Sequence, residues 1–576
     1  NFSDVVFEVP DMAPKPPPSR LRMRVDGTVA AAAEILSSDR LNDLSEMPID
    51  PNSTKGTFQA LINIATPVKG ELSKADTTYN VAADLNGFSA EKLVMNQKLE
   101  ANTLKLAANN QGYQVKGDVK IGGQQASLDY RKPAEGDADI KLQATLDDSS
   151  RARLGLDLGP GISGNLPLKV AGKIGSGDHD SKIGVEADLT ALRLDNVLPG
   201  WVKNPSRAGR ATFNVVPKQQ STRFEDIVIE GGGASIKGSL EVDQNGDLMN
   251  ANFPTYSPSE GDKTQLKAER GQDGALKVTM RGDVFDGRGF IKSAMSGKDD
   301  KGKSKNLDFD VDLKLGAVAG FNGEALRSAD IKVSRRGGAF KSFALTGKVG
   351  RDTPVSADLR IGRDTPLAND LRNSRAQGRE VIYLQTNDAG ALLRFPDTYS
   401  KLQGGQLMLA VEPPSVDAAP KEGQLDIRDF TVRGEAALDR AVGNGQGIGF
   451  SAMQAKFTRQ PGLLSVRDGT VQGPTIGLTI EGSIDYNANQ VRMSGTIIPV
   501  YGLNNIAGQI PFFGLFLGNG NKEGMFGVTY EVVGTPSQPV MRVNPISAIA
   551  PGIVRNIFQF NTGKQTSPPT ELSPNN

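Results

Sequence analysis

The chain has 576 residues, with 66 basic and 66 acidic side chains, one histidine and no cysteine. A balanced charge argues against a nucleic-acid footprint, which would be basic, and the lack of cysteine excludes disulfides, zinc ribbons and thiol nucleophiles. Glycine, at 66 residues, exceeds the usual ~7%, while hydrophobic residues reach only 38%, below the usual ~45–50% for a set that also counts glycine; thin sheets are expected rather than thick globules.

Residues 1–24 are proline-rich (Pro14, Pro16, Pro17, Pro18) and read as a connector or an edge. Val29–Leu44 is a predicted helix: it starts in alanines, keeps roughly helical apolar spacing, and is stopped by Pro48. From Thr57 to about Arg360 the period becomes two. Leu142, Ala144 and Leu146 alternate with polar residues, as do Leu154, Leu156 and Leu158, and Leu276, Val278 and Met280. The clearest run places Leu307, Phe309, Val311, Leu313 and Leu315 on one face and Asp308, Asp310, Asp312 and Lys314 on the other. That is a half-buried strand. Asn86-Gly87, Asn245-Gly246, Asp273-Gly274, Asp286-Gly287 and Asn322-Gly323 supply hairpin turns. With little helix between strands, the sheet is expected to be mostly antiparallel.

A second helix is predicted over Asn387–Leu402, capped by Asn387 or Asp388 and ended by Gly404. Strands resume with Leu407, Leu409 and Val411, then Leu425 and Ile427, then Ile476, Leu478 and Ile480, then Val491 and Met493. Ile497–Leu517 is apolar but broken by Pro499, Asn504, Asn505, Gln509 and Pro511. It reads poorly as a span, which needs about 20 mostly apolar residues in one helix. A short helix or re-entrant turn on a greasy surface, or a buried loop, remain as readings. Ile510, Phe512, Phe513, Leu515, Phe516 and Leu517 are its membrane-contact candidates. Phe526, Val528, Tyr530 and Val532 alternate again, and the polar tail from Asn561 is expected to be disordered.

About 30 strands result. Side by side at ~4.8 Å they would extend on the order of 140 Å, and a sheet that long must curl. The expected fold is therefore mainly β: a long, curled, mostly antiparallel β-sheet forming a U-shaped groove with an apolar interior, plus a few short helices. The groove candidates are Leu276, Val278, Met280, Leu307, Phe309, Val311, Leu313, Leu315, Ile476, Leu478, Ile480, Phe526, Val528 and Tyr530.

Signals of chemistry fail in their context. Gly297–Ser304 matches the phosphate-binding spacing, but a strand rather than a helix follows, and its charges suit a solvated hairpin tip. Asp308, Asp310 and Asp312 have calcium-loop spacing, yet the sixth position is Leu313 instead of glycine. His179, between Asp178 and Asp180, has no nucleophile motif to serve and reads as an exposed loop residue. Trp201 is expected to pack under a turn. The glycine-rich 443–449 stretch lacks the strand-to-helix context of a dinucleotide site. No catalytic residue, metal or cofactor is predicted.

The C-terminal third resembles AsmA-like proteins of the YhdP type. The matching residues are Pro499, Tyr501 and Asn504; Ile510, Pro511 and Gly514; the Gly524–Gly534 turn and strand with Thr529 and Tyr530; and Val543–Arg555. The segment from Asp388 also resembles the opening of that family's C-terminal region, and Gly27-Thr28-Val29 fits its strand-to-helix step. The family's longer apolar segment between Phe430 and Phe450 is short and glycine-rich here. The resemblance implies residues 1–360 as a groove-forming region, 361–560 as the C-terminal region and 561–576 as a tail. The chain opens on Asn1 rather than Met, and the resemblance implies an inner-membrane anchor upstream.

It further implies a non-enzymatic carrier in the bacterial cell envelope. Phospholipid would move through the periplasm between inner and outer membranes, supporting outer-membrane lipid homeostasis, with protein partners at each end and no nucleic acid. Acyl chains would lie on the inward face and headgroups would project into water. The main rival is a periplasmic assembly factor for outer-membrane proteins, in the manner of TamB-type relatives, offering sheet edges to nascent strands. A secreted β-solenoid would need repeats of fixed period, and none is legible.

Overall fold

Period-two alternation gives each extended segment one apolar face, and a tight turn lays the next segment alongside it. The computed structural model describes residues 1–36, 50–71, 76–94, 97–153, 161–175, 181–195, 201–296, 307–372, 374–414, 419–435, 447–474, 476–499, 528–536 and 538–544. They form a mainly β fold, a long and mostly antiparallel sheet that is not closed into a barrel, with a few short helices. Two compact units divide the chain, Asn1–Glu260 and Gly261–Asn576.

In the first unit, antiparallel strands run from Phe2–Glu8 to Leu248–Ser257, each beside its neighbours in sequence. Residues that face one another across a pair share a side of the sheet. Followed from pair to pair, one row reads Val25, Ala60, Ala83, Leu106, Val115, Tyr130, Ile140, Gly172, Ile183, Val215, Phe224, Leu240, Ala251. Every member is apolar or glycine. Three short strands, Ile162–Ser163, Arg193–Asp195 and Val202–Lys203, form a separate small sheet. There Trp201 packs with Leu189, Leu192 and Leu194. The Lys203 ammonium, almost fully buried, donates to the carbonyls of Thr190, Leu192 and Asn204. Val29, opening the helix Val29–Leu36, packs against Phe88, Leu99 and Leu104. The rest of the predicted helix lies outside the described residues.

The second unit repeats the construction. Its row reads Leu266, Met280, Leu313, Ile331, Leu345, Ala357, Leu384, Leu409, Leu425, Ala455, Gly469, Ile480. On the opposite side charges pair across strands: Arg281 with Asp312 at 2.8 Å, Arg336 with Asp310 at 2.8 Å, Lys314 with Asp330 at 3.5 Å. The Arg336 hydrogen bond holds the Asp310 carboxyl below its ordinary pKa. The aspartates with calcium-loop spacing are thus the solvent face of a strand.

Several turn and helix expectations are corrected. Asn322-Gly323 makes a hairpin turn with both φ angles positive, 52° and 72°. Asn86-Gly87 does not turn the chain: strand Thr78–Val94 runs through it, and Gly87, at φ 62°, sits at a register shift against Lys55 and Thr57, a bulge. Asp286-Gly287 is no hairpin either. Strands Leu276–Asp286 and Phe309–Ala319 are parallel, so the chain must cross back, and it begins to do so through the helix Arg288–Ser296. Gly297–Ser304, read as a hairpin tip, lies outside the described residues. The helix predicted over Asn387–Leu402 is only Ala389–Arg394. Gly404, at φ 65°, lies inside strand Leu402–Val411 instead of capping a helix.

Candidate functional site

Nine strands, from Glu380–Thr386 to Gln538–Asn544, each contribute to the lining of one cavity of about 590 Å³. Laid flat, nine strands would span about 38 Å, so the sheet curls around this space. Leu384, Leu409, Leu425, Ile427, Met453, Phe457, Val471, Leu478, Ile484, Met493 and Val532 are among the lining residues.

One end is plugged by the helix Ala389–Arg394. Asp388 caps it, its Oδ1 accepting from the Ala391 amide at 2.9 Å. The helix lies tight on the sheet because its packed face is small: a Cβ at Gly390 would stand 2.4 Å from the Leu402 carbonyl oxygen. Arg394 fixes it, donating to that carbonyl at 2.9 Å and pairing with Glu324 at 2.8 Å. Leu392, Leu393, Phe395 and Tyr399 then reach the cavity.

Toward the turns at the other strand ends lie Arg459, Tyr486, Pro536 and Pro539, with Met295 from the crossover helix. Arg459 Nη2 donates to the Ala294 carbonyl at 3.0 Å. The crossover helix, covalently tied to strands Leu276–Asp286 and Phe309–Ala319, is thereby held to the strand Ile448–Gln460 as well.

Charge is sparse in the lining, confined to Arg459 and Glu435. Glu435 is buried and accepts from Lys401 Nζ at 2.7 Å. Burial raises the pKa of Tyr399, and the nearby Glu435 adds to it. Burial likewise raises Tyr530, whose hydroxyl donates to the Thr479 carbonyl at 2.7 Å. Tyr486 is raised by burial while Arg459 opposes the shift. Among the described residues no group of histidine and acidic side chains is placed to hold a metal. What the lining offers is a solvent for hydrocarbon.

Of the predicted groove residues, Leu478, Ile480 and Tyr530 line the cavity. Ile476 belongs to the same apolar core, and Val528 is buried opposite Ile497. Leu276, Val278 and Met280 stand directly beside Phe309, Val311 and Leu313 in the parallel pair, and buried Leu315 stands beside Gly282. They extend the apolar face and do not line this cavity. Leu307 precedes its strand. Phe526 and the membrane-contact candidates Ile510, Phe512, Phe513, Leu515, Phe516 and Leu517 lie outside the described residues, as does His179. Sequence reasoning missed Met295, Lys401, Glu435, Arg459 and Tyr486. They come from separate segments, and no spacing links them.

Set against family models, curated proteins and solved structures, the chain matches none.

Proposed function

We propose that this chain is a non-enzymatic carrier of phospholipid, holding acyl chains against the apolar face of its sheet and passing them between the inner and outer membranes of a bacterial envelope. The observation that supports this most is the unbroken apolar row in each unit, together with the hydrocarbon-lined cavity of the second. Each buried CH₂ is worth roughly 0.8 kcal/mol, so a chain of about sixteen carbons gains on the order of 10 kcal/mol when fully buried. A polar gap in the path would strand such a chain; a continuous row lets it move without repeated exposure to water. The energy source for net transport and the membrane-bound partners would lie outside these units.

A second reading is favoured by strand Phe2–Glu8. All seven of its residues are exposed, and among the described strands it pairs only with Pro18–Thr28. Such an edge can accept another strand, as an assembly factor for outer-membrane proteins would require.

Mass spectrometry of lipid copurifying with the chain, beside Leu313→Asp and Leu478→Asp variants, separates the two. Stoichiometric phospholipid that falls in both variants is expected. Well-folded protein without lipid would remove the carrier reading and leave the edge reading.

A further inference from the structure

The cavity differs chemically from end to end, and the difference selects a ligand class. At the plugged end stands Glu435, the acidic lining residue, buried and held by Lys401. An anion brought there would meet a carboxylate whose cation is already engaged. Arg459, the cationic lining residue, stands near the far end with Tyr486 beside it. A guanidinium carries five N–H donors. The bond to the Ala294 carbonyl occupies one nitrogen, and among the described residues no carboxylate pairs with Arg459.

The strand Ile448–Gln460 links the two ends. Met453, Ala455, Phe457 and Arg459 follow one another at period two, all in the lining, so the cation terminates an apolar run on one face. Phe450, near the plug, and Arg459 both line the cavity and are nine residues apart in sequence, about 30 Å of extended strand. That length accommodates an extended alkyl chain.

We infer that the cavity takes an anionic amphiphile in a single orientation, with its headgroup on Arg459 and Tyr486 and its alkyl chain running toward Leu393 and Tyr399. The inference rests on the carrier reading and adds a direction and a headgroup charge to it. Tail burial supplies affinity for any amphiphile, whereas a charge-assisted hydrogen bond to Arg459 discriminates in favour of an anion by about tenfold.

The test is displacement of the neutral apolar fluorophore N-phenyl-1-naphthylamine from the full chain by dodecyl phosphate and by dodecyl maltoside, which share a tail. Dodecyl phosphate is expected to act at about tenfold lower concentration, and inorganic phosphate alone not at all. Arg459→Gln should abolish that preference and leave dodecyl maltoside unchanged, while Arg459→Lys should keep most of it. Equal displacement by both amphiphiles in the unsubstituted chain overturns the headgroup site and leaves the carrier reading standing. So does an Arg459→Gln effect that weakens both alike, which would make Arg459 only the tie to the crossover helix. Displacement by inorganic phosphate overturns the need for a tail. If neither amphiphile displaces the fluorophore, the carrier reading of this cavity falls with it.

Discussion

The two units contain cavities of nearly equal volume, about 590 Å³ in the second and about 530 Å³ in the first, with opposite linings. In the second the walls are aliphatic and aromatic. In the first they include Lys169, Glu186, Asp188, Arg210 and Glu230. Both units carry an unbroken apolar row, but the charged lining of the first cavity belongs to the opposite face of the sheet, where Lys169 stands beside Glu186 and Arg210 stands beside Asp188 and Glu230. The apolar faces themselves differ in what covers them. In the first unit Leu189, Leu192, Leu194 and Trp201 pack with Ala187, Ala211 and Ala234, filling apolar space with the chain's own side chains. In the second, helix Ala389–Arg394 fills only one end. Alternation makes an apolar face; what is inserted between strands decides how much of it the protein itself covers.

Trp201, the single tryptophan, reports on the first unit, and a bound apolar fluorophore reports on the second, so the contrast can be broken one side at a time. The largest effect is expected from Tyr530→Ala. It removes a side chain only 1% exposed from the wall of the second cavity and should destabilise that unit by about 4 kcal/mol. In urea unfolding the fluorophore signal should be lost early while the Trp201 transition stays in place; a matching shift of both would mean the units do not unfold separately. Lys203→Met should act in the reverse sense, moving the Trp201 transition by about 3 kcal/mol because it takes the donor from three carbonyls, that of Leu192 buried and those of Thr190 and Asn204 part-buried. An unchanged midpoint would show that water replaces the ammonium.

Glycines within the rows should give an intermediate effect. A Cβ on Gly172 would lie 2.3 Å from the Lys182 carbonyl oxygen, and one on Gly469 would lie 2.6 Å from that of Ile480. Gly172→Ala and Gly469→Ala should each cost about 2 kcal/mol by forcing strands apart, visible in the Trp201 and fluorophore transitions respectively. The smallest effect concerns acid. Asp147 accepts from the hydroxyl and amide of Ser150 and from the Ser149 hydroxyl, which hold its carboxyl down to about 2 from an ordinary 3.8. A depressed folded-state value means the stabilisation is present above the ordinary value and is lost as pH falls through the folded one. Asp147→Asn should lower the Tm of the first unit slightly near neutrality and flatten its fall over that acid window, so that the two proteins converge at low pH; a parallel slope in the variant would refute the assignment.

How far the sequence could be read follows from range. Alternation such as Leu307–Leu315 identified strands, their apolar faces and the polarity of the sheet, because strand geometry is set within a few residues. Asn322-Gly323 was legible as a turn for the same reason. Asp286-Gly287 was not legible as the start of a crossover, since the same dipeptide opens either connection and only pairing with Phe309–Ala319 decides. Asn86-Gly87 became a bulge because its strand had a partner long enough to continue past it. Ile476, Leu478, Ile480 and Tyr530 were found because apolar periodicity marks them. Arg459, Tyr486 and Glu435 were not, because each is an ordinary polar residue at a strand end or in a loop, and what sets it apart is the cavity it meets.

The parallel pair has a mechanical consequence. In an antiparallel hairpin, tension on the chain pulls both strands from the same end, and their hydrogen bonds give way one after another like a zipper. Leu276–Asp286 and Phe309–Ala319 point the same way, so tension pulls them from opposite ends and loads the ladder in shear. The ten residue pairs between them share the load and must yield nearly together. A molecule stretched between two anchored surfaces would pay out slack from its hairpins first, and this pair would act as the catch that limits how far it gives.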